Sequence, residues 1–243
     1  MQDIVSRHYF KKCDGLFDKE LIATLYKMIH ISSGSKTKAS SEREALVAKQ
    51  GAQPNALRLD PTWFKLFTIE VDRFRKILDP LLWIVYPPQI RVMQEESLPV
   101  PWHQDAGYQR ASPSKNHNQV ATIFLPLDPN PYERATLQFS FNNQEELDHK
   151  RTDHFDAVLD GSDFSNLKHY NLNTGDALLF GDLVLHQTHT PTGCKLARTT
   201  FEFRAITEDS AIQGKDYFDI TKLEFVRTEG ESPVNKLYNN IEL

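Results

Sequence analysis

Between residues 90 and 207 the chain breaks into about eight short runs rich in Val, Ile, Thr, Phe and Tyr, each closed by turn residues. They read IRVMQ, VPWHQDA, QVATIFLPL, ATLQFSF, KHYNL, DALLFG, LVLHQTH and ARTTFEFRAIT. Runs this short cannot each build a core. Packed as strands of two facing sheets they can, and about eight is the number expected of a jelly roll or small barrel. The expected class is therefore mainly β, with a double-stranded β-helix (jelly-roll, cupin-like) core over residues 85–206.

The first 80 residues have a different texture and read as a helical flank. In FDKELIATLYKMI, Asp18 can cap, and Phe17, Leu21, Leu25, Met28 and Ile29 recur at helical spacing. SEREALVAKQG places Glu44 three residues after Ser41, a capping-box pattern, and ends on Gly51. DPTWFKLFTIEVDRFRKIL opens with Asp60 and Pro61 and carries an apolar stripe of Trp63, Phe67, Val71, Phe74 and Leu78. The charged stretch EELDHKRTDHFDAVLDGSDF is expected to be a surface excursion. Residues 207–243 are expected to add helices or arms outside the core. The whole is expected to be one domain.

Charge narrows the partners. The 28 basic residues against 33 acidic ones give a net charge of -5, with no basic stripe, which argues against nucleic acid and anionic membranes. No apolar segment reaches the ~20 residues of a membrane helix. The N-terminal residues MQDIVSRHYFKKCDG lack the apolar core of a signal peptide, and two distant cysteines, Cys13 and Cys194, point to a reducing compartment. A cytoplasmic protein acting on a small molecule is the expectation; oligomeric state is left open.

The stretch LPVPWHQDAGYQ sets His103 and Asp105 two residues apart. On an extended strand both would face the same way and reach one metal ion. Alone the pair is weak, since surface and core histidine–acid pairs are common. A second histidine, His186, ends the apolar run LVLH, where an imidazole without a partner is costly to bury. Two histidines and a carboxylate on one face make the ligand set of non-haem Fe(II) oxygenases, which leaves three coordination positions open. His189 competes with His186, but strand alternation turns it to the other face, and beside Pro191 it reads as an exposed turn histidine. Arg198 heads the last core strand and suits a buried carboxylate, which a guanidinium grips with two parallel hydrogen bonds. Arg204, on the same face, is its rival, but six residues on it is expected to have travelled towards the other end of the strand, away from His186. His149, Asp153 and His154 read as part of a solvated charge run. Trp102, Tyr108 and Gln109 flank the metal pair and are candidate substrate contacts. No nucleophile elbow or phosphate-binding glycine loop is present.

The order of helical lead-in, WHQD, VATIFLPLD, GDALLF, LVLH and a following arginine resembles the phytanoyl-CoA dioxygenase family of Fe(II)/2-oxoglutarate oxygenases. The resemblance is convincing over residues 85–206. It implies His103, Asp105 and His186 as iron ligands, with Arg198 and Thr188 holding 2-oxoglutarate. It also implies O₂-dependent hydroxylation with decarboxylation of 2-oxoglutarate to succinate. The turn after ATLQFSF departs from the family pattern, and Arg198 follows His186 at a slightly longer spacing than the family's. The rival readings are a non-catalytic barrel that binds a small ligand or metal, and a metal hydrolase or isomerase that would not need Arg198.

Overall fold

The computed structural model describes residues 4, 6–33, 71–86, 88–109, 120–142, 145–155, 159, 164–211 and 215–228. The expected helix over 41–51 and the first half of the one over 60–78 lie outside these residues.

The strands are β1 (Phe10–Cys13), β2 (Trp83–Val85), β3 (Gln89–Met93), β4 (Val120–Pro126), β5 (Thr136–Ser140), β6 (Leu167–His169), β7 (Ala177–Gly181), β8 (Leu185–His189), β9 (Arg198–Ile206), β10 (Asp216–Asp219) and β11 (Glu224–Arg227). The helices are α1 (Lys19–Ser33), α2 (Val71–Leu78) and α3 (Asp105–Gln109). Eight strands form an antiparallel sheet in the order β1-β7-β4-β9-β2-β10-β11, with β3 lying beside β2 along the same edge of β9. A smaller sheet, β6-β5-β8, faces it. This is the jelly-roll architecture expected from the short runs.

Alternation in the large sheet decides what each face does. Phe201, Phe203 and Ala205 of β9, Ile123 and Leu125 of β4, and Leu179 of β7 join Leu25, Ile29, Phe74 and Leu78 of the helices in one buried cluster. The intervening residues, Arg198, Glu202 and Arg204 of β9 and Thr122 and Phe124 of β4, face the other way and line a cavity. One face thus builds the core against the helices, and the other builds a site against the small sheet.

Local chemistry fixes the helical flank to the sheet. Asp18 caps α1 as expected, its Oδ1 accepting the N–H groups of Glu20 and Leu21 at 2.8 and 3.1 Å. The chain then enters α1 through a hydrogen bond from Phe17 N to Gly175 O of 3.0 Å. Gly175 has φ +92°, and a Cβ there would lie 2.4 Å from Phe17 O, so only glycine fits.

Four expectations need correction. Phe10–Cys13, inside the flank read as helical, is a strand pairing with β7. The C-terminal segment adds β10 and β11 to the large sheet rather than helices. VPWHQDA forms no strand: His103 makes only an isolated bridge to His186, and α3 begins at Asp105. His189 is a half-buried residue of β8, not an exposed turn residue; its ring lies 4.8 Å from that of His169.

Phe74 couples α2 to the sheet through Phe203 and to the entry of α1 through Phe17, with ring centroids 5.8 and 4.8 Å away. Phe74→Ala is expected to cost about 3–5 kcal/mol. Urea unfolding is expected to show this as a lower midpoint, with metal stoichiometry unchanged below the transition.

Candidate metal centre

Three segments converge on the inner face. The extended chain up to His103 lies along β8: His103 N donates to His186 O at 2.9 Å, His186 N returns the bond to His103 O at 3.0 Å, and Thr188 N donates to Val100 O at 2.8 Å. The two imidazoles consequently sit side by side with centroids 4.1 Å apart. The chain then turns into α3, which delivers Asp105 from a different direction than strand alternation would. Ala106 N anchors that turn on Asp182 O at 3.0 Å. One ligand atom from each of His103, Asp105 and His186 lies within 4.8 Å of the others, and all three residues are buried.

The hydrogen bonds prepare the imidazoles to act as ligands. His103 Nδ1 lies 2.8 Å from Pro101 O, and His186 Nδ1 lies 2.8 Å from Val184 O. A carbonyl oxygen accepts only, so each Nδ1 carries the proton and each Nε2 keeps its lone pair. Burial, with the neighbouring His186 second, pushes His103 down to about 3, and burial lowers His186 as well. Both rings are neutral at neutral pH, the state a metal needs. Burial opposes the charge of Asp105, but the Arg204 guanidinium, the two neighbouring histidines and the Thr122 hydroxyl together outweigh it and hold the carboxyl below its ordinary range. Arg204 Nη2 lies 3.3 Å from Asp105 Oδ1, while the Thr122 hydroxyl donates to Oδ2.

A cavity of about 380 Å³ opens from this cluster. At its inner end lies Arg198, 3% exposed. Its Nη1 donates to Thr136 O at 2.8 Å and its Nη2 to Thr188 Oγ1 at 3.3 Å. Its carbon Cζ sits 5.1 Å from the centre of the Phe124 ring, and among the described residues its Nε has no hydrogen-bond partner. Among the described residues no carboxylate pairs with it. Burial lowers this guanidinium to about 10, so it stays charged at neutral pH. A buried cation without a carboxylate is what a carboxylate-bearing ligand would complete. The donor set and this orphaned nitrogen fit an iron ion and a dicarboxylate cosubstrate.

The remaining sequence candidates are placed as follows. Thr188 faces inward beside Arg198, as expected. Arg204 was expected at the far end of the strand from the site. Instead β9 crosses the whole cavity, with Arg198 at one side of the ligand cluster and Arg204 at the other. Trp102 does not line the cavity; its ring packs 5.1 Å from Phe164. Tyr108 and Gln109 are on α3, with side chains outside the described set. His149, read as part of a solvated run, instead packs against the metal-ligand turn, its Nε2 accepting Gln104 N at 2.9 Å. Only the long-range contact reveals this, and no local pattern in EELDHK signals it.

A buried pair of histidines and one carboxylate beside a cavity on a jelly roll define a non-haem iron oxygenase type of site. The chain belongs to the phytanoyl-CoA dioxygenase (PhyH) family, which matches residues 14–199. The family's Fe(II), 2-oxoglutarate and O₂ are the cofactor set. No curated protein matches the sequence. Among solved structures, the apo form of ThoJ, a non-heme monooxygenase, aligns with a TM-score of 0.59 at 13% identity, covering 95% of this chain and 85% of that one. SnoK, a non-heme alpha ketoglutarate dependent carbocyclase from nogalamycin biosynthesis, aligns at 0.57 and 14% identity, covering 93% and 90%. EvdO2 from Micromonospora carbonacea var. aurantiaca, complexed with 2-oxoglutarate, aligns at 0.55 and 15% identity, covering 96% of each chain. At these identities the likeness is one of fold. No helix among the described residues is long and apolar enough to cross a membrane.

The neutral imidazoles predict an acid response of the metal-free protein. The unfolded chain takes up a proton at His103 near 6.5, while the folded state resists down to about 3. That contribution to stability is fully present above 6.5 and is lost as pH falls towards 3; Asp105 adds to the loss only below its ordinary 3.8. Melting temperature measured from pH 7 to about 4.5 is therefore expected to fall more steeply in wild type than in His103→Gln. Equal slopes would contradict the buried neutral state.

Proposed function

We propose that this protein is an Fe(II)- and 2-oxoglutarate-dependent dioxygenase that hydroxylates a small-molecule metabolite, working as one domain in the cytoplasm. The observation that carries the reading is Arg198: a buried guanidinium with which no carboxylate pairs among the described residues, in the same cavity as a metal-ready pair of histidines and an aspartate.

In this reading His103, Asp105 and His186 hold the iron, and Arg198 with Thr188 holds the distal carboxylate of 2-oxoglutarate. Bound iron, 2-oxoglutarate and O₂ supply the oxidising power, with the cosubstrate decarboxylated to succinate. The chain supplies placement. Carbonyls of Pro101 and Val184 aim the two imidazoles, and Thr122 and Arg204 fix the two oxygens of Asp105. Phe124, Leu137 and Phe180 line the cavity with apolar surface and keep water from the cosubstrate end.

The rest of the cavity indicates what enters. Gln89, Arg91, Glu202 and Lys215 line it together with Val85, Val120 and Ile206. Arg91 Nε and Glu202 Oε1 lie 3.4 Å apart. A wall that mixes charged and apolar groups suits a polar metabolite better than a bare hydrocarbon chain. The volume suits a small one.

The test is turnover under saturating iron. O₂-dependent succinate formation from 2-oxoglutarate is expected. Arg198→Ala should raise the 2-oxoglutarate requirement by about 100-fold or more, the loss of one side of a buried charge-assisted contact. Arg204→Ala should leave that requirement within about a few-fold and weaken iron binding instead, because Arg204 touches Asp105. The reverse ranking would move the cosubstrate to the other end of β9. Metal binding with no succinate formed would favour a non-catalytic barrel.

A further inference from the structure

Gln104 stands between two of the proposed ligands and is fully buried, although it is polar. Both amide hydrogens and the amide oxygen of its side chain are engaged. Nε2 donates to Glu145 O at 2.8 Å and to Leu183 O at 2.9 Å, and Oε1 accepts Leu147 N at 2.8 Å. Its backbone N–H donates to His149 Nε2 at 2.9 Å. Two residues past Asp105, Gly107 lies under the same ring, so close that a Cβ there would come within 2.5 Å of His149 Cγ. The segment 145–149 is therefore pressed onto the turn that carries His103 and Asp105.

The start of a short helix leaves backbone N–H groups that need outside partners. Here Ala106 N finds Asp182 O, and Gly107 N finds Gln104 O. Gln104 N is the one of these met by a side chain. It belongs to the peptide that joins His103 to Gln104, so its direction sets how the imidazole and the carboxylate two residues on are disposed to each other. Removing its acceptor leaves a buried donor unsatisfied, and the turn can recover only by moving.

We propose that His149 is a positioning residue for the metal-ligand turn, acting through the hydrogen bond that its Nε2 accepts from Gln104. This rests on the metal site of the proposed function. The role is that of an acceptor and not of a space-filling ring, and the two predict opposite rescues. Glutamine places its Oε1 where the imidazole places Nε2, whereas phenylalanine keeps the ring and has no acceptor.

The test is anaerobic titration of the metal-free protein with Co(II), without 2-oxoglutarate, read by affinity and by the visible ligand-field bands. Unfolding temperatures are measured alongside. His149→Ala and His149→Phe are expected to bind Co(II) about 10- to 100-fold more weakly, with shifted bands, as for loss of other partners that orient a metal ligand. His149→Gln is expected to return affinity and bands to near those of wild type. Wild-type binding by His149→Phe, or no rescue by His149→Gln, would overturn the proposal. If His149→Ala does not fold, the comparison of Gln with Phe still decides. Failure of the wild-type protein itself to bind one Co(II) would bring down the metal site along with the inference, and is thereby distinct from a failure confined to the variants.

Discussion

The reciprocal backbone bond between His103 and His186 is the contact on which the site depends. It stitches a segment from before β4 to β8 of the small sheet, 83 residues further along the chain. Without it the two imidazoles would not be held side by side. With it, the two rings share one wall of the cavity, and Asp105 arrives from the turn that follows. Everything else around the centre either aims these groups or closes the space about them.

Charge is distributed along β9 in a way that follows from that geometry. Arg198 and Arg204 share a face and are separated by Glu202, so one strand supplies cations to both sides of the ligand cluster. Arg204 keeps Asp105 ionised and ready for a metal, and the charge-pairing is local. Among the described residues no acid pairs with Arg198, which is why its burial points to an anionic ligand. Two arginines with the same periodicity therefore do different work because they meet different neighbours across the cavity.

Much of this was legible in the sequence. Seven of the eight short β runs became strands, since β-branched residues and alternation act locally, and the capping of α1 by Asp18 was equally local. The convergence of His103, Asp105 and His186 was anticipated, although for Asp105 the route was wrong: the residue opens a helix held by Asp182 O, a contact to a residue far along the chain. Long-range contacts account for the other differences. Phe10–Cys13 is a strand because β7 offers it an open edge. The C-terminal residues extend the sheet because β2 does the same. His149 looked solvated because its partner, a backbone N–H of the ligand turn, is 45 residues away. Arg204 looked remote because the strand was placed against one end of the site, whereas β9 spans it.

The most direct check of the account is an anomalous difference map from crystals grown anaerobically with Fe(II). It should show one strong peak per chain, bound by Nε2 of both His103 and His186 and by Asp105 Oδ1, with each Nδ1 still on its carbonyl. Iron held instead by the His169–His189 pair, ligation through Nδ1, or no peak in the cavity would contradict it.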